Sequence, residues 1–361
     1  MCRTSWKFLE KSENFPLTNI KTCVIIGLPK GKEITIMANI SKKYINEEID
    51  RLDKMNKGHP FLSTVSRNLN LLALKGELAP VFHRETEVEA IEKMLLRRTK
   101  PNVLLTGPAG CGKTAIAEAI AIHIAQQRAE WLSEDAKADR EYSKAYKAWM
   151  ERDCDMDEPA RREVPKPPLC DVVIYDLSMN ALVSDTKYRG EFEEKLQHIM
   201  DDCKKNPNIV LFIDEIHQIN TVGMSDGAGG MGQILKPALA RAEIKVIGAT
   251  TIEESVILKK DKALARRFSE MEVRPLIGDV AIETADSILK DYEKFHHVSV
   301  DGMTAEQILE MVNFHIGGVF PNNFIDVIDE TMSGARFEGQ SSIGLDAIKK
   351  TLSRQSGNII L

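Results

Sequence analysis

No two cysteines in this chain stand at CxxC spacing. The six cysteines among 361 residues are scattered, so neither a zinc site nor a disulfide framework is indicated, and free thiols in a reducing cytoplasm are expected. No apolar run approaches the roughly 20 residues that a membrane span requires, which leaves no membrane partner to expect. Positive charge is not in excess: 48 Lys and Arg against 54 Asp and Glu give a formal charge of −6. A strong global attraction to nucleic acid is therefore not expected either. No internal repeat is visible. No clear secretory pattern is read at the start, where the apolar stretch Cys23–Leu28 is only six residues long. What remains is an ordinary soluble composition, 43% hydrophobic and 28% charged, in a chain long enough for two or three domains.

The start of the chain carries one oddity. "KGKEITIM" (30–37) would be encoded largely by purine-rich codons, as a ribosome-binding site read in frame would be, so the native start is expected at Met37. Residues 41–75 read as helical, with Ile45, Ile49 and Leu52 on one face and a break at Lys57-Gly58-His59-Pro60. From about residue 76, short apolar runs alternate with helical patterns. "NVLLTG" (102–107), "VVIYDL" (172–177), "IVLFID" (209–214) and "IKVIGAT" (244–250) read as strands, with helices at 114–126 and 191–204. The runs do not alternate polar with apolar, which predicts a parallel sheet buried on both faces. Past Pro275 the strands stop, and helical patterns at about 279–296, 304–315 and 323–336 predict a small helical domain. Residues 128–170 do not fit a minimal α/β unit. They are nearly half charged and end in "VPKPP", with Tyr142, Tyr146 and Trp149 on one helical face. Two readings stand: a solvated helix with a proline-rich return, or a docking arm for a partner.

The chemistry concentrates in three places. "GPAGCGKT" (107–114) fits G-x-x-x-x-G-K-[ST] between a strand and a helix. Gly110 and Gly112 let backbone amides turn toward phosphates at a helix N-terminus. Lys113 reaches the β- and γ-phosphates, and Thr114 offers its hydroxyl to Mg²⁺. Cys111 has no His partner nearby in sequence and reads as a spacer. "IVLFIDEIH" (209–217) ends a buried strand in two carboxylates. Asp214 is expected in the Mg²⁺ shell, and Glu215 is placed to polarise the attacking water. "VIGATT" (246–251) ends the next strand in two hydroxyls, Thr250 and Thr251, either helix caps or contacts to that water. "ALARRFSEMEV" (263–273) carries Arg266 and Arg267, either a solvated basic pair or arginine fingers reaching a neighbouring subunit's site.

With these residues in order, the chain resembles an AAA+ ATPase, specifically the first ATPase module of the Clp unfoldase/disaggregase family. The shared stretches are "LLALKGELAPVF", "RRTKPNVLLTGPAGCGKTAIAEAIA", "KYRGEFEEKL", "LFIDEIH", "LKPALARAEIKVIGATT" and "KDKALARRF", over about residues 69–275, with weaker similarity to about 338. The resemblance implies a P-loop NTPase fold: a parallel sheet with flanking helices plus a small helical lid. It implies ATP and Mg²⁺ held by Val81, Phe82, Gly107, Pro108, Ala109, Gly110, Cys111, Gly112, Lys113, Thr114, Ala115 and Asp214. It further implies a homo-hexameric ring whose pore loop, Lys187-Tyr188-Arg189, grips protein substrates through Tyr188. "GMSDGAGGMG" (223–232) corresponds to a second pore loop. The sequence departs from the family where "VIGR" becomes Val81-Phe82-His83-Arg84, and where a Pro-Asp-Lys-Ala sequence becomes "PNNF" (321–324), losing a basic residue near the nucleotide. No second ATPase module, coiled-coil middle domain or substrate-binding N-domain is seen, and the "IGL" tripeptides at 26–28 and 343–345 read as chance.

The expected division is an N-terminal extension to residue 75, an α/β body over 76–275 with the insert 128–170, and a lid over 276–361. The expected function is ATP-driven unfolding or remodelling of proteins. The alternative is an ATP-binding interaction protein that joins or regulates a host Clp machine, and a peptidase or such a host machine is the further partner expected.

Overall fold

The apolar runs at 102–107, 172–177, 209–214 and 244–250 need partners on both faces, and the computed structural model provides them. It describes residues 42–152, 157–184, 189–220, 231–241 and 243–360. The described residues open with α1 (Lys42–Gly58), α2 (Pro60–Val65), β1 (Ser66–Asn68) and α3 (Leu69–Lys75). The α/β alternation follows: α4 (Glu85–Leu95), β2 (Asn102–Thr106), α5 (Lys113–Met150), β3 (Val173–Leu177), α6 (Met179–Ser184), α7 (Arg189–Lys205), β4 (Ile209–Ile213), α8 (Met231–Ala240), β5 (Lys245–Thr250), α9 (Ile252–Lys260), α10 (Lys262–Ala265) and β6 (Phe268–Glu272). A single sheet orders these strands β1-β3-β4-β5-β2-β6. All neighbours run parallel except β1, which lies antiparallel on β3 with Arg67 opposite Asp176. The crossover from β2 to β3 skips two strands, so the C-terminal ends of β2, β4 and β5 open onto one crevice, the usual ligand position in such sheets.

Strands β1 and β6 do not appear in the sequence reading. Each is an edge strand: β1 is three residues long, and β6 buries Phe268 and Ser269 while Glu270 and Glu272 face solvent. Such strands carry no apolar run. The expected end of strands at Pro275 also needs correction, because β7 (Ser299–Val300) pairs with β8 (Ser342–Ile343). Two residues apiece are too few to leave a periodic signal. The helices of this last region are α11 (Gly278–His296), α12 (Ala305–His315), α13 (Asn322–Phe337) and α14 (Leu345–Ser356).

Among the described residues there are two cores. One runs from Tyr44 to Val273 and takes in residues of α1, α2 and α3, so the helices before residue 75 pack on the α/β body. Glu48 of α1 is 3% exposed and accepts from Arg51 and from Arg128 of α5. The other core runs from Ala281 to Leu352 and holds the four terminal helices together.

Helix α5 is continuous for 38 residues, about 57 Å at 1.5 Å per residue. Its buried residues run from Ile116 to Ala129, with Ala138 buried beyond them, and the body core reaches along it to Leu132 and Ala136. The return segment runs back along it. Arg161 donates to Asp135 at 2.6 Å and to Asp139 at 2.5 Å, and the Trp131 indole donates to the Val164 carbonyl at 3.3 Å. The expectation of a helix with a proline-rich return describes this segment.

Candidate nucleotide site

A buried strand delivers the chain to the phosphate loop. All five residues of β2 are buried, and α5 begins at Lys113. Between them Gly110 and Gly112 hold φ of +79° and +93°, the left-handed region that a side chain would oppose. These turns aim the loop's amides into the start of a long helix, a ready-made anion site. The Lys113 ammonium lies within the loop and donates to the carbonyls of Gly107 at 2.9 Å and Pro108 at 2.8 Å. Cys111 turns the other way. It is fully buried in the core, and burial pushes its thiol above the ordinary range, which fits a spacer.

Strand β4 is likewise buried throughout and ends at Asp214 and Glu215. The Thr114 hydroxyl donates to Asp214 Oδ2 at 2.7 Å, across 100 residues of sequence. Asp214 Oδ1 accepts from the Glu215 amide at 2.9 Å. Two hard oxygen ligands thus stand together beside the anion site, the donor set Mg²⁺ takes. Glu215 is exposed and has a φ of +49°, rare for a residue with a side chain. Its carbonyl accepts from the Gln218 amide, and its carboxylate from the Gln218 side chain. Those bonds hold the strained residue with its acid outside the strand.

The two strand-end threonines differ. Thr251 caps α9 in a reciprocal box: its hydroxyl accepts from the Glu254 amide at 3.2 Å and donates to the Glu254 carboxylate at 2.8 Å. Burial works upward on the Glu254 carboxyl, but the Thr251 hydroxyl and amide, with His217, hold it below the usual carboxylate range. Thr251, expected at the attacking water, has its hydroxyl committed to this cap. Thr250 is buried, and its hydroxyl lies 3.0 Å from His217 Nδ1, three residues past Asp214. His217 and Thr250 thus join the acidic element to β5.

The segment before α4 divides its side chains between the two cores. Val81 belongs to the larger core and Phe82 packs on the smaller one. His83 Nε2 stands 3.8 Å from Glu283 of α11. The terminal helices also touch the phosphate loop: a Cβ built on Gly110 would lie 2.8 Å from the Asn322 Cβ. Asn322 and Asn323 stand in the "PNNF" stretch. Asn322 donates to Asp326 at 2.8 Å, and Asn323 accepts from the Phe324 amide at 2.9 Å. Arg84, Asn322 and His217 were given no role here by the sequence; Arg84 and Asn322 stand in the altered stretches 81–84 and 321–324, and His217 lies two residues past Glu215.

Not every expected residue converges. Arg266 and Arg267 are exposed and precede Phe268, which pairs with Asn102 at the start of β2. Thr106, at the phosphate end of β2, is four residues on, about 13 Å along the strand. Both arginines therefore sit at the far end from their own phosphate loop. Lys187 and Tyr188 lie outside the described residues, as does most of 223–232; Arg189 begins α7.

Comparison with known proteins follows this layout. Residues 103–276 match the ATPase family associated with various cellular activities (AAA), and residues 279–359 match an AAA lid domain. The chain is 35% identical over 291 residues to the chaperone protein ClpB of Aquifex aeolicus (strain VF5), covering 80% of this chain and 25% of that protein. It is 35% identical over 283 residues to the negative regulator of genetic competence ClpC/MecB of Bacillus subtilis (strain 168), covering 78% of this chain and 30% of that one. The chain thus spans a quarter to a third of these curated relatives. Among solved structures, an S. cerevisiae Hsp104-ADP complex superposes with a TM-score of 0.64 at 29% identity, over 82% of this chain and 46% of that chain. A closed-state Hsp104 with ATPγS and FITC casein gives 0.62 at 29% identity, over 82% and 45%.

Proposed function

The chain is an AAA ATPase module with its lid, of the kind found in the Clp family, and from that premise we propose that it hydrolyses ATP to unfold or remodel proteins as a ring of identical subunits. The observation that carries this is the Thr114–Asp214 bond at the mouth of the phosphate loop, with Glu215 beside it. Lys113 and the loop amides hold the phosphates of ATP. Thr114 and Asp214 hold Mg²⁺, which when bound neutralises charge on the phosphate oxygens. Glu215 orients the attacking water and takes its proton. Arg266 and Arg267, remote from their own loop, serve the site of the next subunit, where a cation stabilises charge in the transition state. Val81 and Phe82 flank the base.

Hsp104, which superposes on this chain, has been solved with a nucleotide and with casein. A protein substrate gripped by Tyr188, with Lys187 and Arg189 beside it, extends that likeness to this chain. The buried thiols Cys111, Cys170 and Cys203 fit a reducing compartment such as the cytoplasm; among the described residues no helix is long and apolar enough to cross a membrane. A second reading has one observation in its favour. Beyond Ala138 no residue of α5 is buried, as in a docking arm onto a host Clp machine.

The test is a native mass measurement with ATP, alongside ATPase assays of Lys113→Ala and Glu215→Gln. We expect a hexamer, no ATP binding by the first variant, and binding without turnover by the second. A monomer with ATP bound would remove the ring. Full turnover by Glu215→Gln would remove the site assignment.

A further inference from the structure

Arg84 is among the most buried charged residues described, 5% exposed, and none of the proposed steps uses it. Its guanidinium makes three bonds. Nη2 donates to the Cys111 carbonyl at 2.9 Å and to the Arg274 carbonyl at 3.0 Å, and Nη1 donates to Glu87 Oε1 at 2.7 Å. The first acceptor belongs to the phosphate loop. The second belongs to the linker that leaves β6 and enters α11 four residues later. Loop and linker are pressed together at this point. The Val273 amide donates to the Thr106 carbonyl at 2.7 Å, and a Cβ on Gly107 would meet the Val273 oxygen at 2.4 Å. Next to Arg84, Phe82 packs on the lid core and His83 faces Glu283 of α11. Leu276 of the linker packs on that core too.

Two backbone carbonyls from distant segments converge on one nitrogen of a buried cation. Both lose this donor if that nitrogen is removed, and leaving a buried acceptor such as the Cys111 carbonyl unsatisfied costs more than an average hydrogen bond gains. A planar guanidinium can serve both carbonyls and Glu87 at once in fixed geometry; an ammonium is a point charge on a flexible stem. Resting on the nucleotide-site reading above, we infer that Arg84 is a positioning residue that ties the phosphate loop to the hinge of the lid, so that the shape of the loop around a nucleotide and the setting of the lid change together. Arg84 touches neither phosphate nor base; it acts through the Cys111 and Arg274 carbonyls.

The test uses the full chain with Arg84→Gln, Arg84→Lys and Glu87→Gln. Amide hydrogen exchange is followed by mass spectrometry without nucleotide, and KM and kcat for ATP are measured. In Arg84→Gln we expect exchange to rise in both the 107–113 loop and the 271–276 segment, which holds the bonded Val273 amide. KM should rise about tenfold, the equivalent of one lost charge-assisted hydrogen bond, with kcat at saturating ATP changing far less. Arg84→Lys should recover only part of the KM, and Glu87→Gln should leave both segments protected, since the two carbonyls keep their donor. If Arg84→Gln does not fold, Arg84→Lys carries the test on the same two peptides. Unchanged protection with wild-type KM, or loosening of one segment alone, overturns the coupling. If Lys113→Ala binds ATP normally, the nucleotide site itself is wrong, whereas the exchange measurement needs no nucleotide and judges Arg84 separately.

Discussion

Gly248 sits mid-strand in β5, and a Cβ there would lie 2.4 Å from Ile216 Cδ1. Ile216 follows Glu215 directly and is fully buried, so pressure on it is transmitted to the acid. Gly248→Ala should cost about 1–3 kcal/mol, the usual range for overpacking, and should lower kcat with little change in ATP affinity. A denaturant titration and a steady-state ATPase assay read the two effects; a variant as stable and as active as wild type would contradict the packing. A second expectation concerns Cys111. Its side chain lies against the core, and burial raises its thiol pKa, so too little thiolate is available to react at neutral pH. Alkylation of the folded protein should leave Cys111 unmodified until denaturant is added. Labelling of Cys111 before unfolding, located by peptide mapping, would show that the loop presents it to solvent. At this scale the sequence named Lys113, Thr114, Asp214 and Glu215 because their spacing is fixed by a local motif. It could not name Arg84, whose two carbonyl partners lie 27 and 190 residues away.

Among the elements, α5 and its return segment set the clearest test. The ion pairs of Arg161 with Asp135 and Asp139 clamp the return, and the body core reaches along α5 only to Leu132 and Ala136. Beyond them the rings of Tyr142, Tyr146 and Trp149 lie tilted against one another along one face, with centroid distances of 5.8 and 5.5 Å. Deleting residues 140–159 behind a short Gly/Ser bridge should therefore move the melting temperature by no more than about 4 °C, the equivalent of roughly 1 kcal/mol, and leave ATPase activity intact. If the arm docks a partner, co-purification of that partner is lost in the same variant. A large drop in melting temperature would place the aromatic face within the fold instead. The elements the sequence revealed are those buried on both faces, β2 to β5, because a continuous apolar run is visible in one dimension. Edge strands β1 and β6 contribute polar and charged residues, and their pairing comes from neighbours more than 100 residues distant.

The whole molecule poses the question of assembly. Arg266 and Arg267 stand about 13 Å or more from their own phosphate loop, at the N-terminal end of β6. Arg266→Ala with Arg267→Ala should leave ATP binding near wild type and lower turnover by on the order of 10³-fold. Mixing that protein with Lys113→Ala should restore part of the activity, since an intact loop of one subunit then meets intact arginines of another. No recovery on mixing, with both proteins shown to co-assemble, would make the arginines a solvated pair. Tyr188→Ala should keep its melting temperature and its ATPase activity but lose unfolding of a tagged substrate, with Tyr188→Phe restoring it. A strongly destabilised Tyr188→Ala would make the residue part of the core.

The sequence by itself determined the nucleotide chemistry and the class of the fold. Both rest on short-range signals: a phosphate loop whose residues act within one turn, an acidic pair ending a buried strand, and apolar runs whose length reports burial. Only the tertiary structure decided which strands close the sheet, that α1 to α3 share the body core, and that Thr251 caps α9 while Thr250 meets His217. It also decided that Arg84 joins loop to linker and that Asn322 rests on Gly110. Each of these depends on which distant segments end up side by side. Burial and hydrogen-bond satisfaction act on the folded chain in three dimensions, and no local pattern records them.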